Sequence, residues 1–203
     1  SFHGPVLRRP FGTFAIRYSN LEDIRTIDQW YKINKAKNLD MFLEAMEMTA
    51  IPSLNTIYAD RESNIFYIYN GRFPERNEEF NWEQLIPGDT SVVVWDSFLP
   101  FSSLPQVLNP EAGFVQNCNH TPFMSTGNGE NPDSTSFSHT MGIETHNTNR
   151  SLRAQEIFSK DSSITFDEFL AAKYDLYYSE NSHQVQMKNK IVEEVETSDP
   201  MLR

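Results

Sequence analysis

Cysteine is nearly absent. Cys118 is the only one in 203 residues, so no disulfide can close within the chain and no paired-cysteine metal site can form. Long apolar runs are missing as well, and nothing approaches the roughly 18 residues that a membrane-spanning helix needs. Positive charge is scarce: 17 Lys and Arg stand against 28 Asp and Glu, a formal net charge of -11. Such a surface repels phosphate backbones, and no Lys/Arg cluster is present to release counterions, which argues against nucleic acid as a partner. There is no glycine-rich phosphate loop and no His-Glu-x-x-His helix. The first residues, Ser1-Phe2-His3-Gly4-Pro5, have neither the basic start nor the apolar run of a secretion signal, so any targeting segment is expected outside this chain.

What is present is apolar and aromatic enough for one sizeable core, or for part of a larger one. Apolar residues at helical spacing predict a helix through Ile24, Ile27, Trp30, Tyr31 and Ile33, and a second from Asp40, its expected cap, through Phe42, Leu43, Met46 and Ala50. Asn55–Ala59 and Asn64–Tyr69 flank a polar turn at Asp60–Ser63 and read as a β-hairpin. From Gly71 to Pro122 prolines and aromatics alternate in what reads as ordered loop, with short strands expected at Ser91–Trp95 and Gly113–Gln116. Residues 123–147 are expected to form a surface loop, with Met124–Ser138 its most mobile part. A helix from Asn149 through Leu152, Ile157 and Phe158 follows. Thr165-Phe-Asp-Glu168 is a capping box opening the next. The tail, 182–203, carries Val185, Ile191, Val192 and Val195 as a last amphipathic helix. Together these elements indicate an α+β fold in a single region spanning 1–203.

Chemistry-bearing residues are few. The histidines His3, His120, His139, His146 and His183 are scattered, with no pair at tight metal-ligand spacing. Asp60, Glu75 and Glu130 read as turn residues whose oxygens could also serve a calcium ion. Asn117-Cys118-Asn119-His120-Thr121-Pro122 is more distinctive. A carboxamide can donate to a developing oxyanion without changing charge, which suits acyl transfer, although asparagines in turns usually bond their own backbone. Arg150 opens a helix on which Arg153 and Glu156 read as solvent-facing charges.

Taken in order, a series of short segments resembles the β-chain of the penicillin amidase family of N-terminal nucleophile hydrolases. They are His3-Gly-Pro-Val6, Lys35-Ala-Lys-Asn38, Ile57-Tyr-Ala-Asp60, Asn64-Ile-Phe-Tyr67, Gly71-Arg-Phe-Pro-Glu-Arg76, Ile86-Pro-Gly88, Leu99-Pro-Phe101, Leu104-Pro105, Asn109-Pro110, Gly113 and Asn117-Cys-Asn-His-Thr-Pro122. The likeness runs from His3 to about Asp175. It implies an interior piece of a self-processed amidohydrolase with an αββα four-layer sandwich, in a bacterial periplasm or outside the cell. The parent's substrate would be a small N-acyl amide, such as a β-lactam side-chain amide or an acyl-homoserine lactone. It would act through an acyl-enzyme on an N-terminal serine expected outside this chain.

Ser1 is not expected to be that serine, because His3-Gly-Pro-Val6 resembles a stretch well inside the catalytic chain. By the resemblance, Asn119 is the oxyanion donor, and Arg150, counted back from Thr165, supports the site near the nucleophile's α-amine. The loop 123–147 is longer than in the best-known members, which weakens the second placement. No cofactor is required for the chemistry. A structural calcium in the parent is implied for some members, with Glu130 its weak candidate ligand here. The partners are the remaining α- and β-chain segments of the parent acylase, and the piece alone is expected to be inactive. A non-catalytic homologue binding through the Met124–Ser138 loop is the alternative.

Overall fold

A computed structural model describes residues 2–21, 23–127, 129–160 and 163–194. Strands β3 (Leu54–Ala59) and β4 (Ile65–Asn70) form the expected hairpin, pairing antiparallel from Leu54 with Asn70 to Ala59 with Ile65. Asp60 closes its turn, accepting from the Asn64 backbone N–H, the Asn64 side-chain amide and the Tyr58 hydroxyl, each at 2.9 Å. A third strand, β5 (Gln106–Leu108), pairs with the other edge of β4 and leaves β4 central. A central strand is covered on both faces and reads as a near-continuous apolar run, as Phe66-Tyr-Ile68 does. A separate hairpin joins β1 (Val6–Arg9) to β2 (Gly12–Ala15).

Helices α1 (Thr26–Lys35) and α2 (Leu39–Met46) precede the sheet in sequence. Phe42 and Met46 of α2 pack on Phe66 and Ile68 of β4, with Phe73, Leu104 and Met141 completing the core. Truncating a fully buried member such as Met46 or Ile68 to alanine should cost about 2–5 kcal/mol. α2 begins one residue before the expected cap. Asn38 accepts the Met41 N–H at 3.0 Å, and Asp40 lies within the first turn, where its charge opposes the helix dipole. α1 likewise starts after Ile24, and Ile27 and Tyr31 are exposed. The residue it buries is polar, Gln29.

Gln29 is fully buried because it ties three elements together. Its Oε1 accepts from Ala50 N at 2.7 Å and from Ile51 N at 2.8 Å. Its Nε2 donates to Asn70 Oδ1 at 3.2 Å, and Asn70 Nδ2 donates to Met46 O at 3.0 Å. Beside this lock, Asp23 accepts from Arg25 (Nε 2.9 Å, Nη2 2.7 Å) and from Arg72 Nη1 at 2.8 Å, while the Arg72 guanidinium lies 3.9 Å over the Phe98 ring. Hydrogen bonds from Arg25 hold the Asp23 carboxyl down to about 2.

Two expected strands are absent. Residues Ser91–Val93 form a 3-10 turn capped by Thr90. Trp95 is recruited instead as a platform, with Arg17 4.4 Å above it and Phe98 edge-on at 5.9 Å, and an isolated bridge from Pro74 to Phe98 ties the stretch to the chain after β4. Gly113–Gln116 forms no ladder either. Gln116 N reaches Ser125 O at 2.8 Å, but the Thr126 N–H is already committed to Asn131 Oδ1 at 2.9 Å, so the pairing stops after one bond. Segment 123–147 also departs from a surface loop. Ser125 and Thr126 are fully buried, Met141 belongs to the core, and Phe137 and Ile143 pack against it.

The C-terminal helices α3 (Asn149–Phe158), α4 (Phe166–Lys173) and α5 (His183–Glu194) follow the sequence signals, α3 and α4 each opening on a capping box at Thr148/Ser151 and Thr165/Glu168. Val195, expected in the last helix, lies with 195–203 outside the described residues. Arg153 and Glu156 are not solvent-facing. Arg153 bonds Asp175 Oδ2 at 2.8 Å and Glu156 at 3.3 Å, and Glu156 accepts from the Ser179 hydroxyl at 2.6 Å, so one cluster straps α3 to the chain beyond α4. Among the described residues no helix is long and apolar enough to cross a membrane.

Candidate active site

The segment Asn117–Pro122 leaves the buried Gln116 and ends in a 3-10 turn, Pro122–Met124, whose first N–H, that of Phe123, is met by the Thr121 hydroxyl. Between them the chain reverses at Asn119, which has φ of +58°. Asparagine tolerates this left-handed conformation better than most side chains. Two neighbours hold it there. Asn117 Oδ1 accepts the Asn119 N–H at 2.8 Å, and Asn117 Nδ2 donates to His120 O at 3.3 Å. His120 folds back so that Nδ1 accepts the Cys118 N–H at 3.0 Å. Because that N–H can only donate, the ring proton belongs on Nε2, which lies 3.1 Å from Met124 O and donates to it. Gln116 Nε2 donates to the same carbonyl at 2.6 Å.

This division of labour decides what Asn119 is free to do. Asn117 performs the backbone bonding expected of a turn asparagine, and the exposed side-chain amide of Asn119 has no hydrogen-bond partner among the described residues. It borders a cavity of about 430 Å3 whose walls include Asn55, Tyr69, Asn117, His120 and Glu144. A larger cavity of about 780 Å3 shares no lining residue with it; Arg17 and Arg72 there are already engaged with Trp95, Phe98 and Asp23.

Arg150 is the second residue of α3, exposed and in no ion pair among the described residues. The capping box fixes the helix start. Gln155 Nε2 bonds Thr126 O at 2.8 Å, and the Phe114 and Phe158 rings meet at 5.9 Å, so α3 is anchored beside the turn. Its charge is felt there. Burial raises the pKa of the Cys118 thiol, and Arg150 opposes that rise. Burial lowers the pKa of His120, and Arg150 adds to the lowering. The two residues singled out from sequence, Asn119 and Arg150, thus flank one turn. His120 and Gln116 were not singled out. The only sequence signal for His120 was its place immediately after the Asn-x-Asn pair.

Glu130, the candidate calcium ligand, spends both oxygens on backbone N–H groups, those of Glu111 at 2.8 Å and Ala112 at 2.9 Å. Among the described residues no group of three or more His, Cys, Asp or Glu is placed to hold a metal ion. Ser1 lies outside the described residues.

Across its whole length the chain superposes on a thermostable penicillin G acylase from Alcaligenes faecalis, with a TM-score of 0.72 at 21% identity, covering 35% of that chain. The fold is therefore that of part of a penicillin G acylase. Residues 1–198 match the family model for penicillin amidase. The chain belongs to the penicillin amidase family. It is 31% identical over 101 residues to the penicillin G acylase of Escherichia coli, covering 50% of this chain and 12% of that protein. It is 29% identical over 126 residues to the acyl-homoserine lactone acylase QuiP of Pseudomonas fluorescens, covering 58% of this chain and 15% of that protein. The matched region is thus a small part of these bacterial relatives.

Proposed function

We propose that the protein to which this chain belongs is a self-processed amidohydrolase acting on a small, linear N-acyl amide. An N-terminal serine carried elsewhere attacks the amide carbon, expels the amine and leaves an acyl-enzyme that water hydrolyses. In each tetrahedral step charge builds on the former carbonyl oxygen, and Asn119 donates its side-chain N–H to that oxygen. Arg150 adds fixed positive charge at the same turn and supports the nucleophile's amine. The substrate class is that of the named relatives, penicillin-type amides or acyl-homoserine lactones. The chemistry asks for no cofactor, and the remaining chain segments supply the nucleophile, its base and the second oxyanion donor. A periplasmic location fits the bacterial relatives. A structural calcium in the complete protein would draw its further ligands from the remaining chain segments.

The observation that carries this reading is the unspent Asn119 amide, held in a left-handed turn whose own bonding needs are met by Asn117 and His120. A preorganised donor of this kind contributes most where charge develops, and its removal costs on the order of 100- to 1000-fold in kcat. The test is Asn119→Ala in the full-length enzyme. Turnover should fall by that factor while self-cleavage stays complete; wild-type turnover in a normally processed variant would refute the assignment.

A further inference from the structure

We propose that His120 is a positioning residue for the oxyanion donor: as a neutral imidazole it holds the Asn117–Cys118 peptide, next to Asn119, in the turn that presents the Asn119 amide, and protonation of the ring releases that hold. The proposal rests on the reading of Asn119 given above and deepens it.

The ring is almost wholly buried, at 3% exposure, and both nitrogens are committed in opposite senses. Nδ1 accepts from the Cys118 N–H at 3.0 Å and Nε2–H donates to Met124 O at 3.1 Å. Only one tautomer of the neutral ring satisfies both. A proton taken from solvent onto the Nδ1 lone pair would set N–H against N–H across that contact. The buried Cys118 N–H and the new imidazolium N–H would then both lack an acceptor, a costly state in a low-dielectric site. The contact must open. Cys118 precedes Asn119, so opening it removes one of the bonds that hold the left-handed residue and leaves those made by Asn117, its Oδ1 on the Asn119 N–H and its Nδ2 on His120 O.

The charged and titratable groups around the ring bear on the same equilibrium. Arg150, at the start of α3, disfavours the imidazolium, as does burial; the Cys118 thiol, itself raised by burial, remains neutral beside it. The Met124 carbonyl that accepts from Nε2 favours the imidazolium, and Glu144, on the wall of the shared cavity, would add to it but is exposed, where solvent weakens its pull. The neutral, clasping form therefore dominates until the pH falls below the ordinary histidine value of 6.5.

The experiment uses the full-length processed enzyme and compares wild type, His120→Asn and His120→Phe across pH 5–8. Asparagine places Oδ1 where Nδ1 was and cannot titrate, so kcat at pH 8 should stay within about threefold of wild type, and the wild-type decline below pH 6.5 should flatten. Phenylalanine fills the space without an acceptor. Its kcat at pH 8 should fall about 10- to 100-fold with KM nearly unchanged, as expected for a misplaced group that acts only in the transition state. Either a His120→Asn variant that keeps the wild-type acid limb or a His120→Phe variant that turns over at the wild-type rate overturns the proposal. If His120→Phe fails to self-cleave, the His120→Asn profile decides alone. Asn119→Ala is run alongside. A large loss there with silent His120 variants removes only the clasp, whereas a silent Asn119→Ala removes the oxyanion reading beneath it.

Discussion

The Gln29–Asn70 lock and the Asn117–His120 turn are made of the same parts, carboxamides bonded to backbone amides and carbonyls, yet they end in opposite states. In the lock, residues from α1, β4 and the chain after α2 are gathered around one buried side chain, and no side-chain nitrogen or oxygen of Gln29 or Asn70 is left without a partner. In the turn, the bonds run among residues 116–124, and the one amide left over, that of Asn119, faces the solvent at a cavity rim. Buried polar groups that are fully paired rigidify a fold. A preorganised polar group without a partner, at an exposed and rigidly held site, is free to bind something else. The difference separates a structural carboxamide from a candidate catalytic one.

The comparison can be tested from its structural side first. Gln29→Leu would bury the N–H groups of Ala50 and Ile51 and the amide oxygen of Asn70 without partners. At about 1–3 kcal/mol for each unsatisfied group, a loss of about 3 kcal/mol or more is expected, read as a lowered urea or thermal midpoint. A loss below about 1 kcal/mol would show that the lock is incidental. From the other side, Asn117→Ala should move activity more than stability. With the Asn119 N–H no longer held, kcat should drop about 10- to 100-fold while the unfolding midpoint shifts by about 1 kcal/mol or less. The reverse pattern would make the turn merely structural.

A smaller effect is expected at Asp23, which pins the start of α1 to Arg72. Its folded pKa is depressed to about 2 from 3.8. The stability it contributes is therefore fully present above pH 3.8 and is lost as the pH falls toward 2. Asp23→Asn should remove that part of the acid sensitivity in unfolding measured between pH 5 and pH 2, and an unchanged pH dependence would contradict it. The smallest effect is at the local cap. Asn38→Ala should cost about 1 kcal/mol through loss of the bond to Met41 N, and the variant's midpoint checks it.

Legibility followed how local each interaction is. The β3–β4 hairpin was readable because β-branched and aromatic residues flank a turn that Asp60 closes with its own side chain. The start of α4 was readable because a capping box spans four residues, and that of α3 from the apolar spacing after Asn149. β5 was not, since three residues between Pro105 and Asn109 carry no pattern and become a strand only against β4. Ser91–Trp95 misled for the opposite reason: its propensity is that of a strand, but Trp95 is held by Arg17 from a distant part of the chain and by Phe98 just beyond it. At the candidate site, the order of motifs pointed to Asn119 and Arg150, while His120 showed nothing in sequence beyond its place after the Asn-x-Asn pair.

By itself the sequence determined the α4 capping box, the central hairpin, the net acidic charge and the family, because each is written in neighbouring residues, in composition or in the order of short motifs. Only the tertiary structure decided which of two asparagines is spent and which is free. That choice depends on where Asn117 Oδ1, the His120 ring and the Met124 carbonyl meet in space, and on the positive charge that α3 brings beside them. Hydrogen bonds are directional and short, so two asparagines a single residue apart can carry out opposite tasks.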